Sequence, residues 1–219
     1  MVRIETQLAS RGSQHWLQHY VNSSPTVLDE ALGLGILEWR SPLAADDFAE
    51  YQDDAFLDRL DVSLPHRSLS SFWPPHGPVW DGLALTASGT CVLVEAKAHI
   101  PELFSSCGAT SDRSIAMIRA ALDETRANLG VDSRHDWTLG FYQYANRLAH
   151  AYLMNELNGV PTVLVFVDFI GDVDMRGPAS RQEWEAAIEV LHEALGVRGK
   201  LPPYVRHAFV DVRNAEPAG

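Results

Sequence analysis

The chain reads as an α/β protein, with a mixed central β-sheet flanked by helices. Three observations predict this. Residues 78–102 hold two apolar, β-branched stretches around Ala87, Ser88 and Gly89, the pattern of a hairpin with a three-residue loop and glycine in the left-handed position. Residues 161–169, PTVLVFVDF, form an unbroken apolar run, the signature of a strand buried on both faces. The segments between and around them carry apolar residues at helical spacing.

Taken in order, residues 13–21 place Trp16, Leu17, Tyr20 and Val21 on one helical face with Ser13 as N-cap. Ser24-Pro25 opens a second helix that Gly33 and Gly35 close, with Val27, Leu28, Ala31 and Leu32 turned inward. Residues 36–40 read as the first sheet strand. Residues 44–60 read as an acidic helix with Phe48, Tyr51, Phe56, Leu57 and Leu60 toward the core and its acids in solvent. Four prolines make 62–78 irregular. Its Phe72 and Trp73, with Trp80, read as plugs at the core edge; a base-stacking wall with His66, Arg67 and His76 is the alternative.

After the hairpin, Ser111 or Asp112 caps a helix to Leu129 that Gly130 ends. A longer helix over 138–157 carries a polar stripe, Gln143, Asn146, Arg147 and His150. The 172–177 segment echoes a calcium loop, but Arg176 stands where an oxygen ligand is needed, so it reads as a turn. Ser180 with Glu183 forms a capping box for a helix over 180–195, followed by an edge strand over 205–212 and a tail, 215–219, that frays.

With 219 residues and 46% hydrophobic content, the chain can bury one core as a single domain over 1–219. No apolar run reaches the ~18 residues of a membrane-spanning helix, and the first residues lack the apolar core of a signal peptide. A cytoplasmic protein with no membrane association is therefore expected, with Cys91 and Cys107 as free thiols. A net charge of −12 argues against a broad electrostatic grip on nucleic acid, although a bound metal or a local arginine groove can hold phosphate on an acidic protein.

The hairpin carries the chemistry. If Thr86 and Thr90 close its loop, Asp81 lies opposite Glu95 and Val79 opposite Lys97, and Asp81, Glu95 and Lys97 share one face, with opposed Cβ atoms roughly 4.5–5.5 Å apart. Two carboxylates so close repel unless a proton or a cation joins them, and oxygen ligands with room for water suit Mg²⁺ or Mn²⁺. On that reasoning Glu95→Gln raises metal-free stability. The chain has 17 Lys and Arg in all, only two of them Lys. A lysine in a half-buried strand beside two acids, where arginine is the common cation, suits the orientation of a water molecule. A solvated face with a weak surface salt bridge is the plain alternative.

These residues resemble the motif of the PD-(D/E)XK, or restriction-endonuclease-like, nuclease superfamily, with Asp81 as its Asp and Glu95-Ala96-Lys97 as its (D/E)xK; Pro78 stands three residues before Asp81 and not next to it. The resemblance covers about 25–168 and leaves the C-terminal helix and strand as decoration. It implies a restriction-endonuclease-like core and a Mg²⁺ or Mn²⁺ ion held by Asp81, Glu95 and the Ala96 carbonyl. It also implies hydrolysis of nucleic acid at phosphodiester bonds, with Lys97 orienting the water, and DNA before RNA because most of the superfamily acts on DNA. A glutamate from the first core helix near the metal would be Glu30, against an ordinary exposed acid. A polar residue from the helix after the motif strand would be Gln143 or Arg147, against a solvated face. His99 shares the Glu95 face if its strand runs on, where it could bind phosphate or a proton; otherwise it is a plain strand-end histidine. The rival from another class is a catalytically silent nuclease-like fold serving as a binding or assembly domain, which the acidic charge favours.

Overall fold

In the computed structural model, which describes residues 2–132 and 134–215, the chain builds a five-stranded mixed sheet with helices on both faces. A separate short ribbon pairs β1 (Val2–Ile4) with β3 (Glu50–Gln52). The main sheet runs in the order β2 (Leu37–Ser41), β4 (Gly82–Thr86), β5 (Cys91–Lys97), β6 (Thr162–Ile170) and β7 (Val205–Asp211). Its first two pairings are antiparallel and its last two parallel. Every residue of β5 and β6 is buried, as the uninterrupted apolar run at 161–169 predicts for a strand covered on both faces.

On one face, α1 (Gly12–Ser23) and α2 (Pro25–Leu32) pack Leu17, Tyr20, Leu28 and Leu32 against Val92, Val94, Ala96, Val165 and Val167. Two short helices, α3 (Asp54–Arg59) and α4 (Leu69–Phe72), then lead to the hairpin. The opposite face is covered by α5 (Asp112–Asn128), α6 (Tyr142–Tyr152) and α7 (Arg181–Leu195), whose Leu122, Leu148 and Leu191 meet Leu93, Leu164 and Phe166. Strand alternation therefore sends the odd-numbered side chains of β5, Glu95 and Lys97 among them, to the α6 side.

The acidic helix expected over 44–60 is not formed. A single turn (Ala44–Asp46), β3 and α3 replace it. Asp47, Phe48 and Asp53 take φ of +50°, +52° and +51°, which a continuous right-handed helix cannot contain. The apolar spacing that mimics a helix there instead serves a strand whose partner, β1, lies nearly 50 residues upstream. Smaller departures have local causes. Ser13 does not cap α1; its hydroxyl donates to Glu102 Oε1 at 3.1 Å. The helix expected from 138 starts at Tyr142, because the Thr138 amide and hydroxyl both turn back to Asp136 and Gly140 sits at φ +74°. Val27, expected inward, is exposed.

Other expectations match. Pro25 opens α2 and Gly33, at φ +64°, closes it. Ser180 Oγ accepts from the Glu183 amide, while the Glu183 carboxylate reaches the Ala179 amide. Phe72, Trp73 and Trp80 are buried core plugs. Asp172 forms a turn, accepting from the Met175 amide and from Trp16 Nε1. β7 lies at the sheet edge; of the tail expected to fray over 215–219, Ala215 donates its amide to Val212 O at 3.1 Å and residues 216–219 lie outside the described residues. Both cysteines are free, and no helix among the described residues is long and apolar enough to cross a membrane.

Candidate active site

The hairpin register is the expected one. Gly82 pairs with Val94, Leu83 with Leu93, Ala84 with Val92 and Leu85 with Cys91. Thr86 and Thr90 close the loop through an amide-to-carbonyl bond of 3.0 Å, and Gly89 takes φ +81°, a conformation that favours glycine. The ladder stops at Gly82, so the expected pairing of Asp81 opposite Glu95 is not formed. Beyond Gly82 the Asp81 side chain takes over from the backbone, its Oδ2 accepting the Ala96 amide at 2.8 Å. Val79 does not pair with Lys97, because the fully buried Trp80 joins Tyr51 of β3 instead, with Trp80 N donating to Tyr51 O at 3.0 Å.

Asp81 is thereby fastened to the middle residue of Glu95-Ala96-Lys97. Glu95 is 1% exposed, and both its oxygens are engaged. Lys97 Nζ donates to Oε1, while Arg147 donates to Oε2 through Nε at 2.6 Å and approaches it with Nη2 at 2.5 Å. Arg147 also donates to the Val79 carbonyl at 2.7 Å and lies over the Trp80 ring, 4.7 Å from its centroid. The expected polar stripe of α6 thus faces inward: Asn146, Arg147 and His150 are buried. Arg147 is committed to Glu95 and is not a solvated cation.

The electrostatics follow from this packing. Burial alone would raise the Glu95 carboxyl, but Arg147 and Lys97 outweigh it and hold Glu95 below the usual carboxylate range. Lys97 loses ammonium hydration on burial, yet Glu95 and Asp81 more than restore the charged form and raise its pKa. Asp81 gains no comparable partner. Burial, followed by the charge of Glu95, pushes it up to about 8, with partial relief from Lys97. A carboxyl so stripped of solvent, with a second carboxylate beside it, takes up a proton or a cation.

Sequence reasoning missed Glu50. It sits on β3, and its Oε1 accepts from Gln14 Nε2 of α1 at 2.8 Å. Burial raises its carboxyl, and the charge of Glu95 adds to the effect. The apparent helical spacing of 44–60 had assigned this acid to solvent, whereas the left-handed residues Asp47, Phe48 and Asp53 break the helix and Glu50 lies on a strand paired with β1. Glu102 is another acid near Lys97, accepting the amides of Ala98 and His99 at 2.6 and 3.2 Å.

Of the remaining candidates, Gln143 lines a small cavity with Glu95 and Lys97. Glu30 is exposed on α2, which packs on the other face of the sheet, so it does not join the group. His99 does not extend the Glu95 face: β5 ends at Lys97, and His99 starts a turn with its Nδ1 3.3 Å from Glu102. Ala96 sends its methyl to the α1 side of the sheet and its amide to Asp81.

A hard divalent cation of the Mg²⁺ type keeps several waters and needs only one or two carboxylates. The carboxylates gathered here are Asp81 and Glu95, and both Glu95 oxygens already face Lys97 and Arg147. Among the described residues no three His, Cys, Asp or Glu side chains are placed to enclose an ion. Compared with protein-family models, curated proteins and solved structures, the chain matches none.

Proposed function

We propose that the chain is a metal-dependent phosphodiesterase of nuclease type, acting on nucleic acid and on DNA before RNA, with its sheet as a restriction-endonuclease-like core. The observation that carries the reading is the bond from the Ala96 amide to Asp81 Oδ2, which joins the two halves of the resembled motif at the end of a hairpin in the expected register. The two free thiols support its placement in the cytoplasm.

Asp81 and Glu95 would hold Mg²⁺ or Mn²⁺, with the Ala96 carbonyl joining them by resemblance. When bound, such an ion supplies Lewis-acid polarisation of the phosphate and a bound water of lowered pKa. The residues do the rest. In that state the ionised Asp81 would regain a counter-charge in place of the solvent it has lost, and its bond to the Ala96 amide fixes the carboxylate plane. Glu95 is oriented from behind by Arg147, whose guanidinium is locked by Val79 O and Trp80. Lys97, 9% exposed and held as an ammonium, orients the attacking water and offsets the negative charge that develops on the phosphoryl oxygens.

The second reading is a silent nuclease-like fold used for binding or assembly. It is favoured by one specific observation: both Glu95 oxygens already face a cation, so an ion must displace part of that contact. The experiment that separates the two is cleavage of single-stranded, double-stranded and branched DNA and of RNA by wild type and Asp81→Asn, with Mg²⁺ and with Mn²⁺. Low salt offsets the net charge of −12. Cleavage by wild type alone supports the nuclease; metal-independent binding without cleavage in both proteins supports the assembly domain.

A further inference from the structure

Phosphodiester hydrolysis releases a proton from the attacking water, and the residues of the motif are poorly placed to take it. Lys97 is an ammonium with no free electron pair. Glu95 has both oxygens occupied by Lys97 and Arg147. Asp81, on the reading above, faces the cation.

β6 supplies another carboxylate beside them. Asp168 is the parallel-sheet partner of Lys97 and is 1% exposed. Its Oδ2 accepts from or donates to His207 Nδ1 of β7 at 2.7 Å, whereas its Oδ1 is buried with no hydrogen-bond partner. A buried carboxylate oxygen left unpaired loses its hydration without compensation and calls for a partner. The same residue borders a cavity of about 10 Å³, room for one water, lined also by Glu95, Lys97, Gln143 and His207. Behind it the chain of polar contacts continues: His207 Nε2 lies 3.3 Å from the Tyr144 hydroxyl of α6, and that hydroxyl lies 2.9 Å from His192 Nε2 of α7.

We propose that a single water in this cavity links the Lys97 side of the site to Asp168 Oδ1, and that Asp168, held by His207, accepts the proton of the attacking water. The inference rests on the nuclease reading. The attacking water passes one proton to the cavity water, which passes one of its own to Asp168 Oδ1. The hydroxide oxygen bonds to phosphorus, the bond to the leaving oxygen breaks with its electron pair, and that oxygen is protonated from solvent. The groups facing Asp168 are Lys97 from β5, His207 from β7, across the cavity the carboxylates of Glu95 from β5 and Glu102 from the turn after it, and, through His207, Tyr144 from α6 and His192 from α7. Burial raises the Asp168 carboxyl and inclines it to bind a proton, while His207 and Lys97 keep the ionised form accessible.

The test is steady-state cleavage by wild type, Lys97→Ala, Asp168→Asn and Asp168→Ala across pH with saturating Mn²⁺. Asp168→Asn is expected to lower kcat about 10²-fold with KM and Mn²⁺ affinity unchanged. It is also expected to abolish the rise of kcat with pH that follows ionisation of Asp168 in wild type, and added formate should restore part of the rate of Asp168→Ala. If Lys97→Ala is slow but Asp168→Asn cuts like wild type with the same pH profile, this inference alone is overturned. If wild type cuts nothing, the nuclease reading falls and takes the inference with it. Should both Asp168 variants fail to fold, His207→Ala decides: about a 10-fold loss in kcat at constant KM is expected, and an unchanged kcat overturns the role.

Discussion

Asp81→Asn is a nearly isosteric change that keeps an oxygen for the Ala96 amide and removes the charge. Burial and Glu95 raise the Asp81 carboxyl from 3.8 to about 8. A group protonated more readily in the folded than in the unfolded chain contributes stability that is fully present below its unfolded pKa. That contribution is lost as pH rises through the folded pKa. The window for Asp81 therefore runs from 3.8 to about 8. At ~1.4 kcal/mol per pH unit the whole interval is worth at most about 6 kcal/mol, and the part between pH 5 and 8 at most about 4 kcal/mol. The solvent-facing edge of Asp81 lowers both figures. Urea unfolding of metal-free wild type and Asp81→Asn at pH 5, 6, 7 and 8 isolates the effect, because all other titrating groups are common to both proteins. Wild type is expected to lose more stability toward pH 8, with the Asp81→Asn variant the more stable of the two there. Parallel stability curves for the two proteins would refute the claim that burial and the neighbouring Glu95 penalise the ionised form of Asp81.

Arg147→Met leaves the Glu95 carboxylate buried with one partner fewer and should cost about 3–5 kcal/mol, a fall in Tm of roughly 6–20 °C by calorimetry. Glu95→Gln strands Lys97 and Arg147 in the same way, so its metal-free Tm should fall, reversing the gain that carboxylate repulsion alone suggests; a rise would contradict the bridged arrangement. Mn²⁺ at about 100 times its Kd should stabilise wild type by about 2.7 kcal/mol, and Asp81→Asn should lose most of that response; equal responses would remove Asp81 from the metal site. In thiol titration, Cys107, which is partly exposed, should react in the native protein. Cys91, fully buried with its thiol pushed up to about 11, should react only on unfolding.

The centre of this protein was legible because period-two alternation and a glycine loop fix a hairpin register from local sequence alone. Asp81, Glu95 and Lys97 came together on that basis. What surrounds them was not legible, since it depends on contacts between distant segments. Glu50 reaches the site only because β1 pairs with β3, and helical spacing masks that strand. Arg147 stood open between a site role and a solvated face because nothing in α6 itself reveals that its polar face meets a buried glutamate and a wall of aromatics. Glu30 illustrates the converse error: its helix was found correctly, but which face of the sheet a helix covers is decided by the path of the whole chain. His207, in a segment set aside as decoration, lies against Asp168 through a parallel crossover that no local pattern encodes.

The central claim is that Lys97 acts on the water and the developing charge while the carboxylates hold the ion. It is tested most directly by the cleavage rate of Lys97→Ala measured at the Mn²⁺ occupancy of wild type, established by titration. Loss of Lys97 frees Glu95 Oε1, so the variant should bind Mn²⁺ at least as well as wild type while cutting at least about 10²-fold more slowly. A variant that cuts as fast as wild type at equal occupancy, or a wild type that cuts no nucleic acid at all, contradicts it.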